Sequence, residues 1–178
     1  MTDRRDPVWA AIDAKRAVRA FDGRPLEPAH LERILQAGRR SGSSKNRQRW
    51  AFIVVQDRAR LQELTAVGTW AAHLAGAAAG IALVTPDPGA LDAHESIRFD
   101  LGQAAQNMML AAWELGIGSV PATVYDFDIA RRILGYPADH TCEYLLSFGY
   151  PADPADLTRP KKAGGRRPLS EMVHEERW

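Results

Sequence analysis

A short basic segment near the start of the chain has the residue types that bind a phosphate. It reads Lys15-Arg16-Ala17-Val18-Arg19. In an extended backbone, alternate side chains point to the same side, which places Lys15, Ala17 and Arg19 together. Arginine suits a phosphate because its donors form a planar fork. The segment therefore predicts a site for an anionic group.

A polar loop supplies a second group of candidate ligands. Residues 41–50 separate a predicted helix from a predicted buried strand, and residues 43–48 read Ser-Ser-Lys-Asn-Arg-Gln. Hydroxyl and amide groups can hydrogen-bond a polyol chain or the edge of a heterocycle. A loop held between rigid elements is a usual place for such groups. Taken alone, either segment is equally typical of a solvated surface, and that alternative stays open at this point.

The familiar catalytic motifs are missing from the sequence. It contains no Cys-x-x-Cys pair and no His-Glu-x-x-His, so no metal site is predicted. It also lacks a Walker A loop, a Gly-x-Gly-x-x-Gly fingerprint and a Gly-x-Ser-x-Gly elbow. The five histidines are scattered and have no obvious partner. An enzyme without an acid-base set implies that a cofactor carries the chemistry.

Composition narrows the class of protein. The chain has 178 residues, of which 46% are hydrophobic and 25% charged, which fits one globular domain spanning residues 1–178. The net charge of +1 argues against a nucleic-acid or membrane surface. Three local basic clusters, at residues 15–19, 39–40 and 159–167, favour a small anionic ligand instead. The single cysteine, Cys142, and a polar start without a signal-peptide pattern favour the cytoplasm.

Hydrophobic periodicity predicts helices that precede, separate and follow a few short strands. Because these elements do not alternate regularly, an α+β domain is favoured over a doubly wound sheet. Residues 70–79 are ambiguous because they are nearly all Ala and Gly, and residues 116–125 are interpreted as a helix break and a connection. Helices are predicted at residues 7–14 (capped by Asp6), 28–38, 58–67, 94–115 and 127–134, and strands at 50–55, 80–85 and 143–148.

The longest predicted helix, at residues 94–115, is apolar around much of its circumference. Such a helix is buried on more than one side, so we expect it at the centre of the domain or in a subunit interface. Residues 152–178 are polar and rich in Pro and Gly, and we expect them to run over the surface of the domain or of a partner subunit. Trp70, Phe99 and Tyr125 are candidates for a substrate pocket, with packing in the core as the favoured role.

Several short motifs, taken in order, resemble the FMN-dependent nitroreductase family. The resemblance runs from about residue 13 to residue 173, and the order of the motifs is more specific than any one of them. The motifs are Val-Arg-Ala-Phe at 18–21, Ser-Ser-Lys-Asn-Arg-Gln-Arg-Trp-Ala-Phe at 43–52, Asp-Leu-Gly-Gln-Ala-Ala-Gln-Asn at 100–107, Leu-Gly-Ile-Gly-Ser-Val-Pro at 115–121, Leu-Gly-Tyr-Pro at 134–137, Leu-Ser-Phe-Gly-Tyr-Pro at 146–151 and Arg-Arg-Pro-Leu at 166–169.

This resemblance implies a nitroreductase-like fold, with a central mixed or antiparallel sheet flanked by helices. It also implies an intertwined homodimer with two FMN sites at the interface, in which residues 152–178 pack on the partner subunit. No metal is implied.

Carried over by position, the resemblance assigns a role to each of thirteen residues. Lys15 and Arg16 would bind the FMN phosphate, and Arg166 or Arg167 would close on it. Arg19 would lie beside the flavin ring or the phosphate. The remaining positions are Ser43, Ser44 and Asn46, which would contact the flavin of the other subunit, Gln48, which would support that loop, and Val120, Pro121, Ala122 and Thr123, which would lie over the isoalloxazine ring.

Four positions depart from the family pattern. Ala17 replaces a serine and removes a hydroxyl from the expected phosphate site. Gly42 and Arg49 stand where the family often has proline, and Thr123 lies where many members have Gly or Glu. These departures bear on the substrate more than on flavin binding.

The implied reaction passes hydride from NADH or NADPH to flavin N5, and then to a nitroaromatic, a quinone or a similar acceptor in a ping-pong cycle. Positive charge from Arg19 near the pyrimidine end of the ring would stabilise the reduced flavin without a general base. Two alternatives stay open. One is another flavin reaction on the same fold, such as that of a dehydrogenase, a dehalogenase or a flavin-cleaving enzyme. The other is a non-enzymatic flavin-binding module, or a tail at residues 159–167 that binds a polyanion.

Overall fold

The elements and their order follow from a computed structural model, which describes residues 7–89, 96–160 and 165–178. Short 3-10 helices connect several of the longer elements. Among the described residues, the helices are α1 (Pro7–Ala14), α2 (Pro28–Arg39), α3 (Arg58–Glu63), α4 (Ile97–Glu114) and α5 (Phe127–Leu134), and the strands are β1 (Ala51–Val55), β2 (Ala79–Pro86), β3 (Gly118–Thr123) and β4 (His140–Gly149).

The strands form one antiparallel sheet in the order β1-β2-β4-β3. This arrangement, with helices on both faces, confirms the predicted α+β class. β3 lies at one edge of the sheet, where the basic segment continues the hydrogen bonding: Ala17 forms a parallel bridge with Ser119, and the Val18 amide donates to the Ser119 carbonyl at 3.1 Å. The sheet therefore holds the predicted anion-binding segment in an extended conformation from Ala17, whereas the Lys15 amide still donates to the Ala11 carbonyl of α1 at 2.9 Å.

β3 is the strand that the sequence interpretation missed. Residues 116–125 were expected to be a break and a connection, whereas Gly118–Thr123 pairs along its whole length with β4. Glycine and proline usually argue against a strand, but an edge strand tolerates them because one side of its backbone needs no partner strand. Gly118 has a further reason, because a Cβ there would lie 2.6 Å from Cβ of Val18.

The sheet separates two apolar layers. The face that carries Leu145 packs against α3, α5 and the 3-10 helices, whereas the face that carries Leu146 packs against α2 and α4. On α4, the predicted apolar stripe is confirmed in its central part, because Leu101, Ala104, Met108 and Ala112 are buried. α4 thus lies across the middle of one face, where its side chains can reach the edge strand.

Several observed element boundaries differ from the predicted ones. The helix expected at residues 58–67 becomes α3 followed by a 3-10 helix, Leu64–Val67, and the ambiguous residues 70–79 contain the 3-10 helix Ala72–Gly76. Asp126 caps α5 as predicted, accepting from the Ile129 amide at 2.8 Å. The predicted cap Asp6 and the first two residues of the helix expected at 94–115 lie outside the described residues.

Three aromatic side chains and the end of the chain are exposed. Trp70, Phe99 and Tyr125 have 77%, 73% and 64% of their surface accessible, so the favoured prediction that they pack in the core was wrong. Every residue from 165 to 178 is exposed as well, including Leu169 and Trp178.

None of the helices in the described ranges is long and apolar enough to cross a membrane.

Candidate functional site

A basic cleft of about 650 Å³ opens beside the edge of the sheet. Ligand pockets in proteins typically have volumes of about 300 to 1,000 Å³, so the cleft has the size of a binding site. It lies between the 15–19 segment, α4 and the C-terminal part of the chain. Its lining includes Lys15, Arg16, Ala17, Arg19, Gln106, Asp156, Arg159 and Arg166.

The sheet edge orients the first wall of this cleft. The bridge between Ala17 and Ser119 keeps the backbone extended from Ala17, so Ala17 and Arg19 line the cavity while Val18 is buried. Lys15 follows α1 directly, its amide donating to the Ala11 carbonyl at 2.9 Å, and it lines the cavity together with Arg16. The alternation expected from the sequence therefore holds only from Ala17 onward. The cations of the cleft therefore converge because the backbone between them is fixed to β3.

The C-terminal part of the chain supplies the second wall. Arg159 pairs with Asp153 at 3.1 Å and with Asp156 at 2.7 Å, and its carbonyl accepts from Nε of Arg16 at 3.1 Å. The indole of Trp113 on α4 donates to the Leu157 carbonyl at 3.0 Å and fixes the segment further. Arg166 completes the wall, whereas Arg167 does not line the cleft.

The positive charge in the cleft is poorly compensated by the protein. Among the described residues, no ion pair joins Lys15, Arg16, Arg19 or Arg166 to a carboxylate. Burial lowers the pKa of Lys15, whose Nζ contacts Sδ of Met109 at 3.4 Å instead of an anion. A half-buried cation without a counter-charge is unfavourable, so this arrangement fits an anionic ligand.

The Lys15–Met109 contact links a lining residue of the basic cleft to a lining residue of an apolar cavity of about 320 Å³. Met109, Ala105 and Gly102 of α4 form one side, and Pro121 of β3 forms the other. At the outer end, Arg98 and Glu143 form a two-point ion pair with an N–O distance of 2.7 Å. A basic cleft followed by an apolar one matches a ligand with a phosphate at one end and a ring at the other.

Only some of the β3 residues that were predicted to contact the flavin ring face this side of the sheet. Pro121 and Thr123 are exposed, whereas Val120 and Ala122 are 2% and 1% accessible and face the opposite core layer. Alternation along the strand is the cause. Of the four residues expected at the ring, Pro121 and Thr123 can offer side chains, and Val120 and Ala122 can offer only backbone.

The polar loop at residues 41–50 is held against a different face of α4. The buried carboxylate of Asp100 accepts from the Ser44 amide at 2.9 Å and from the Ser96 hydroxyl at 3.2 Å. The Asn107 amide donates to the Ser41 hydroxyl at 2.7 Å. Asp100 and Asn107 lie seven residues apart, close to two helical turns, so one face of α4 positions the loop.

The loop backbone is strained. Lys45, Asn46 and Gln48 have φ values of 53°, 53° and 49°. Asparagine tolerates this left-handed region, but lysine and glutamine rarely adopt it. The conformation persists because the Gln48 amide N–H donates to the Ser43 hydroxyl and its side chain donates to Oδ1 of Asn46 at 3.0 Å. Strain of this kind, held by a hydrogen-bond network, often marks a binding loop.

The structure brings one predicted set of residues together and keeps the other apart. Lys15, Arg16, Arg19 and Arg166 share the basic cleft, whereas Ser43, Ser44, Asn46 and Gln48 do not line it. The sequence interpretation gave no role in the site to Asp100, Gln106 or Asn107, which it quoted only as part of the 100–107 motif, and it placed Met109 only in the apolar stripe of the long helix. Their roles depend on which face of α4 meets the cleft.

We expect the replacement of Asp100 by alanine to lower the free energy of unfolding by about 1.5 to 3 kcal/mol, because the Ser44 amide loses a charged acceptor. Urea unfolding measures the change. Phe99→Ala is the matched control, since its side chain is exposed on the same helix and its loss should change stability by about 0.5 kcal/mol or less. Equal stability of the two variants would show that Asp100 does not hold the loop.

Comparison with known proteins points to one family. A family model described as "Nitroreductase family" matches residues 12–82 and 61–150. A relative from Archaeoglobus fulgidus, provisionally named an NADH dehydrogenase/NAD(P)H nitroreductase, is 30% identical over 171 residues, which cover 94% of this chain and 96% of the relative.

Solved structures show the same fold. A Parabacteroides distasonis protein with the same provisional name superposes with a TM-score of 0.84 at 24% identity, covering 97% of this chain and 99% of that one. An FMN-dependent nitroreductase from Clostridium difficile superposes with a TM-score of 0.80 at 23% identity, covering 96% and 99%.

Proposed function

Because the chain belongs to the nitroreductase family and is an NAD(P)H-dependent oxidoreductase of that type, we propose that it binds FMN in the basic cleft and the adjoining apolar cavity. We further propose that it uses NADH or NADPH to reduce a nitroaromatic, a quinone or a similar acceptor. The family membership gives the class of reaction. The other two parts of the proposal, the cofactor site and the electron acceptor, need support from the residues of this chain.

The observation that carries the proposal is the uncompensated charge of the basic cleft. Lys15, Arg16, Arg19 and Arg166 converge there without carboxylate partners among the described residues. The phosphate of FMN carries up to two negative charges, so it would satisfy part of this cluster and leave positive charge toward the ring. The printed name of the Clostridium difficile neighbour, an FMN-dependent nitroreductase, agrees with this cofactor.

Each residue of the cleft has a distinct task in this proposal. Lys15 and Arg16 hold the phosphate, and Arg166 closes over it. Arg19 lies two residues beyond Ala17, the residue bridged to β3, and supplies positive charge to the pyrimidine end of the ring. Ala17 contributes no hydroxyl, and Gln106, which also lines the cleft, can supply a polar contact in place of the serine that the family has there.

The ring would lie against β3, where Pro121 and Thr123 are exposed. Their side chains exclude water from one face, and the backbone of the edge strand offers hydrogen-bonding groups. When bound, FMN supplies the hydride chemistry, accepting hydride from the nicotinamide and passing it to the acceptor. The side chains of the protein need only bind, orient and provide charge, which agrees with the absence of an acid-base set in the sequence.

We propose that the functional unit is a homodimer in which each flavin contacts both subunits. The polar loop with Ser43, Ser44 and Asn46 is strained and well supported, yet it does not line the cleft of its own chain. The end of the chain, within the segment 152–178, is exposed and carries apolar side chains. A partner subunit would bring its loop to this cleft and receive that segment.

The proposed reaction is tested by initial rates measured with varied NADH or NADPH against a varied quinone or nitroaromatic. Parallel double-reciprocal lines are expected, because nicotinamide and acceptor would occupy the same place in turn. The proposed homodimer is tested separately, by light scattering during gel filtration, which should give twice the mass of one chain. Bound flavin that neither nicotinamide reduces would instead favour another flavin reaction on this fold, such as dehalogenation, and intersecting lines would contradict the ping-pong cycle.

A further inference from the structure

The apolar cavity ends at an ion pair. It follows α4 from Met109, which contacts Lys15, to Arg98, a span of about 16 Å along a helix. Within the described lining, Arg98 and Glu143 are the charged residues, and they pair through Nε–Oε2 at 3.0 Å and Nη2–Oε1 at 2.7 Å. The cavity therefore has a cation beside one end and a neutral pair of charges at the other.

A β-bulge directs Glu143 toward this cavity. The pairing of β2 with β4 skips Glu143, because adjacent residues of β2 pair with Tyr144 and with Cys142. Strict alternation would place Glu143 on the same face as Leu145, in the apolar layer that also buries Cys142. The bulge turns Glu143 to the other face, where it lines the cavity beside Tyr144. Bulges re-aim side chains in this way and are common beside active sites.

The helical wall of the cavity has a glycine at its centre. Glycine inside a helix is destabilising relative to alanine, so Gly102 needs a reason. Packing within the subunit does not provide one, because a Cβ on Gly102 would meet no atom of the described residues within 4 Å. Gly102 is exposed and lines the cavity with Ala105. These two small residues leave room for a planar group between α4 and the sheet.

We propose that Arg98 and Glu143 determine specificity for the electron acceptor: their ion pair forms a neutral outer end of the cavity, which selects uncharged aromatic rings over anionic ones. A flavin anchored by its phosphate in the basic cleft leaves this outer end for the acceptor, so the identity of the ring as an acceptor rests on the proposed function. The preference for an uncharged ring does not, since it depends only on charges that the chain itself supplies.

The selection follows from how the two charges are satisfied. An uncharged ring leaves the pair intact, whereas an anionic group would have to displace Glu143 from Arg98. Glu143→Gln removes the ion-pair partner of Arg98 and should favour an anionic ligand, and Arg98→Met leaves Glu143 unpaired and should disfavour it. A pair that only ties α4 to β4 would not give opposite signs, because both variants would lose the same contact.

The first test measures kcat/KM of the FMN-loaded protein for 1,4-naphthoquinone and for its 2-sulfonate, which carries one additional negative charge. The ratio of sulfonate to parent should rise about two- to fivefold in Glu143→Gln and fall by a similar factor in Arg98→Met, as for an exposed charge pair. Comparison among variants cancels the difference in reduction potential between the quinones. Equal ratios in all three proteins, or shifts in the same direction, would overturn the proposal.

Arg33→Met is the matched control. Arg33 pairs with Glu114 at 3.2 Å, so this variant also loses an ion pair that ends on α4, but neither residue lines the cavity. Its ratio should equal that of the wild type. A fall as large as that in Arg98→Met would show that the net charge of the protein sets the preference, and would overturn the role of the pair.

The second test uses the full-length protein without FMN. 2-Naphthol and naphthalene-2-sulfonate are titrated into the isotope-labelled wild type, Glu143→Gln and Arg98→Met, and the NMR signals of the Gly102 and Ala105 amides follow binding. Neither of these two residues lines the basic cleft, so their signals report on the cavity. The relative affinity for the sulfonate should shift in the same opposite directions as the kinetic ratio.

The outcomes separate the two hypotheses. A protein that retains no FMN would defeat the proposed function, while the titrations would still decide whether the pair selects rings by charge. Rings that leave the amide signals of Gly102 and Ala105 unchanged in all three proteins would overturn the proposal, and so would equal relative affinities.

Discussion

Lys15→Met is expected to bind FMN about 10- to 100-fold more weakly than the wild type, while the cofactor-free protein becomes more stable. Loss of a charge-assisted hydrogen bond to the phosphate accounts for the weaker binding. The gain in stability arises because methionine keeps the unbranched stem beside Met109 and removes a half-buried cation. A substitution that weakens ligand binding and stabilises the ligand-free protein identifies a residue that is retained for its ligand.

The sign of the stability change also predicts a dependence on pH. Burial lowers the pKa of Lys15 below its ordinary value of 10.5, so the unfolded chain holds the proton more tightly than the folded one. The unfavourable contribution is fully present below the folded pKa and disappears as the pH rises through the folded and then the ordinary pKa. The stability difference between Lys15→Met and the wild type should therefore shrink in alkaline solution.

Fluorescence titration with FMN and urea unfolding without it measure the two effects separately. Arg60→Met is the control, because Arg60 is an exposed cation on α3 that does not line the cleft. This variant should bind FMN like the wild type. If Lys15→Met bound FMN with unchanged affinity, or if it destabilised the free protein, Lys15 would not be the uncompensated phosphate ligand described here.

Gly118→Ala is expected to lower the free energy of unfolding by about 1 to 3 kcal/mol, the usual effect of overpacking a core. A Cβ at this position would lie 2.6 Å from Cβ and 2.7 Å from Cγ1 of Val18, which is itself 1% accessible. Val18 would have to move, and with it the flanking Ala17 and Arg19. We therefore expect weaker FMN binding in addition to lower stability.

Gly42→Ala separates this clash from a general effect of losing a glycine. The nearest atom to a Cβ on Gly42 is Oε1 of Gln103 at 3.9 Å, an ordinary contact distance, so the change should be nearly neutral. Thermal or urea unfolding of both variants gives the comparison. A Gly118→Ala protein as stable as Gly42→Ala would mean that the contact between Val18 and β3 does not fix the cleft wall.

The extended basic segment was predictable from the sequence because its chemistry is local. Alternation places Ala17 and Arg19 on one side of an extended chain, whatever pairs with it. It did not predict that Lys15 and Arg16 would both reach the cleft from the end of α1. Three of the four strands were also predictable, since they are runs of β-branched and apolar residues. β3 was missed because its Gly and Pro are acceptable only at a sheet edge, and the position of a strand in a sheet is not a local property.

Other parts of the site depend on contacts between distant residues. Asp100 lies 56 residues from Ser44, and Asn107 lies 66 residues from Ser41. Neither hydrogen bond follows from residue type, because an isolated Asp or Asn is far more often exposed than part of such a pair. The resemblance indicated that residues 43–48 and 100–107 matter, but only the fold shows that one face of α4 holds the loop while another meets the cleft.

An anaerobic absorption spectrum of the purified protein, recorded with added FMN and again after NADH or NADPH, tests the central claim most directly. The account predicts that the protein retains FMN through gel filtration, shows the visible bands of an oxidised flavin, and loses them on addition of at least one nicotinamide. A colourless protein that retains no FMN, with Lys15, Arg16, Arg19 and Arg166 intact, would contradict it.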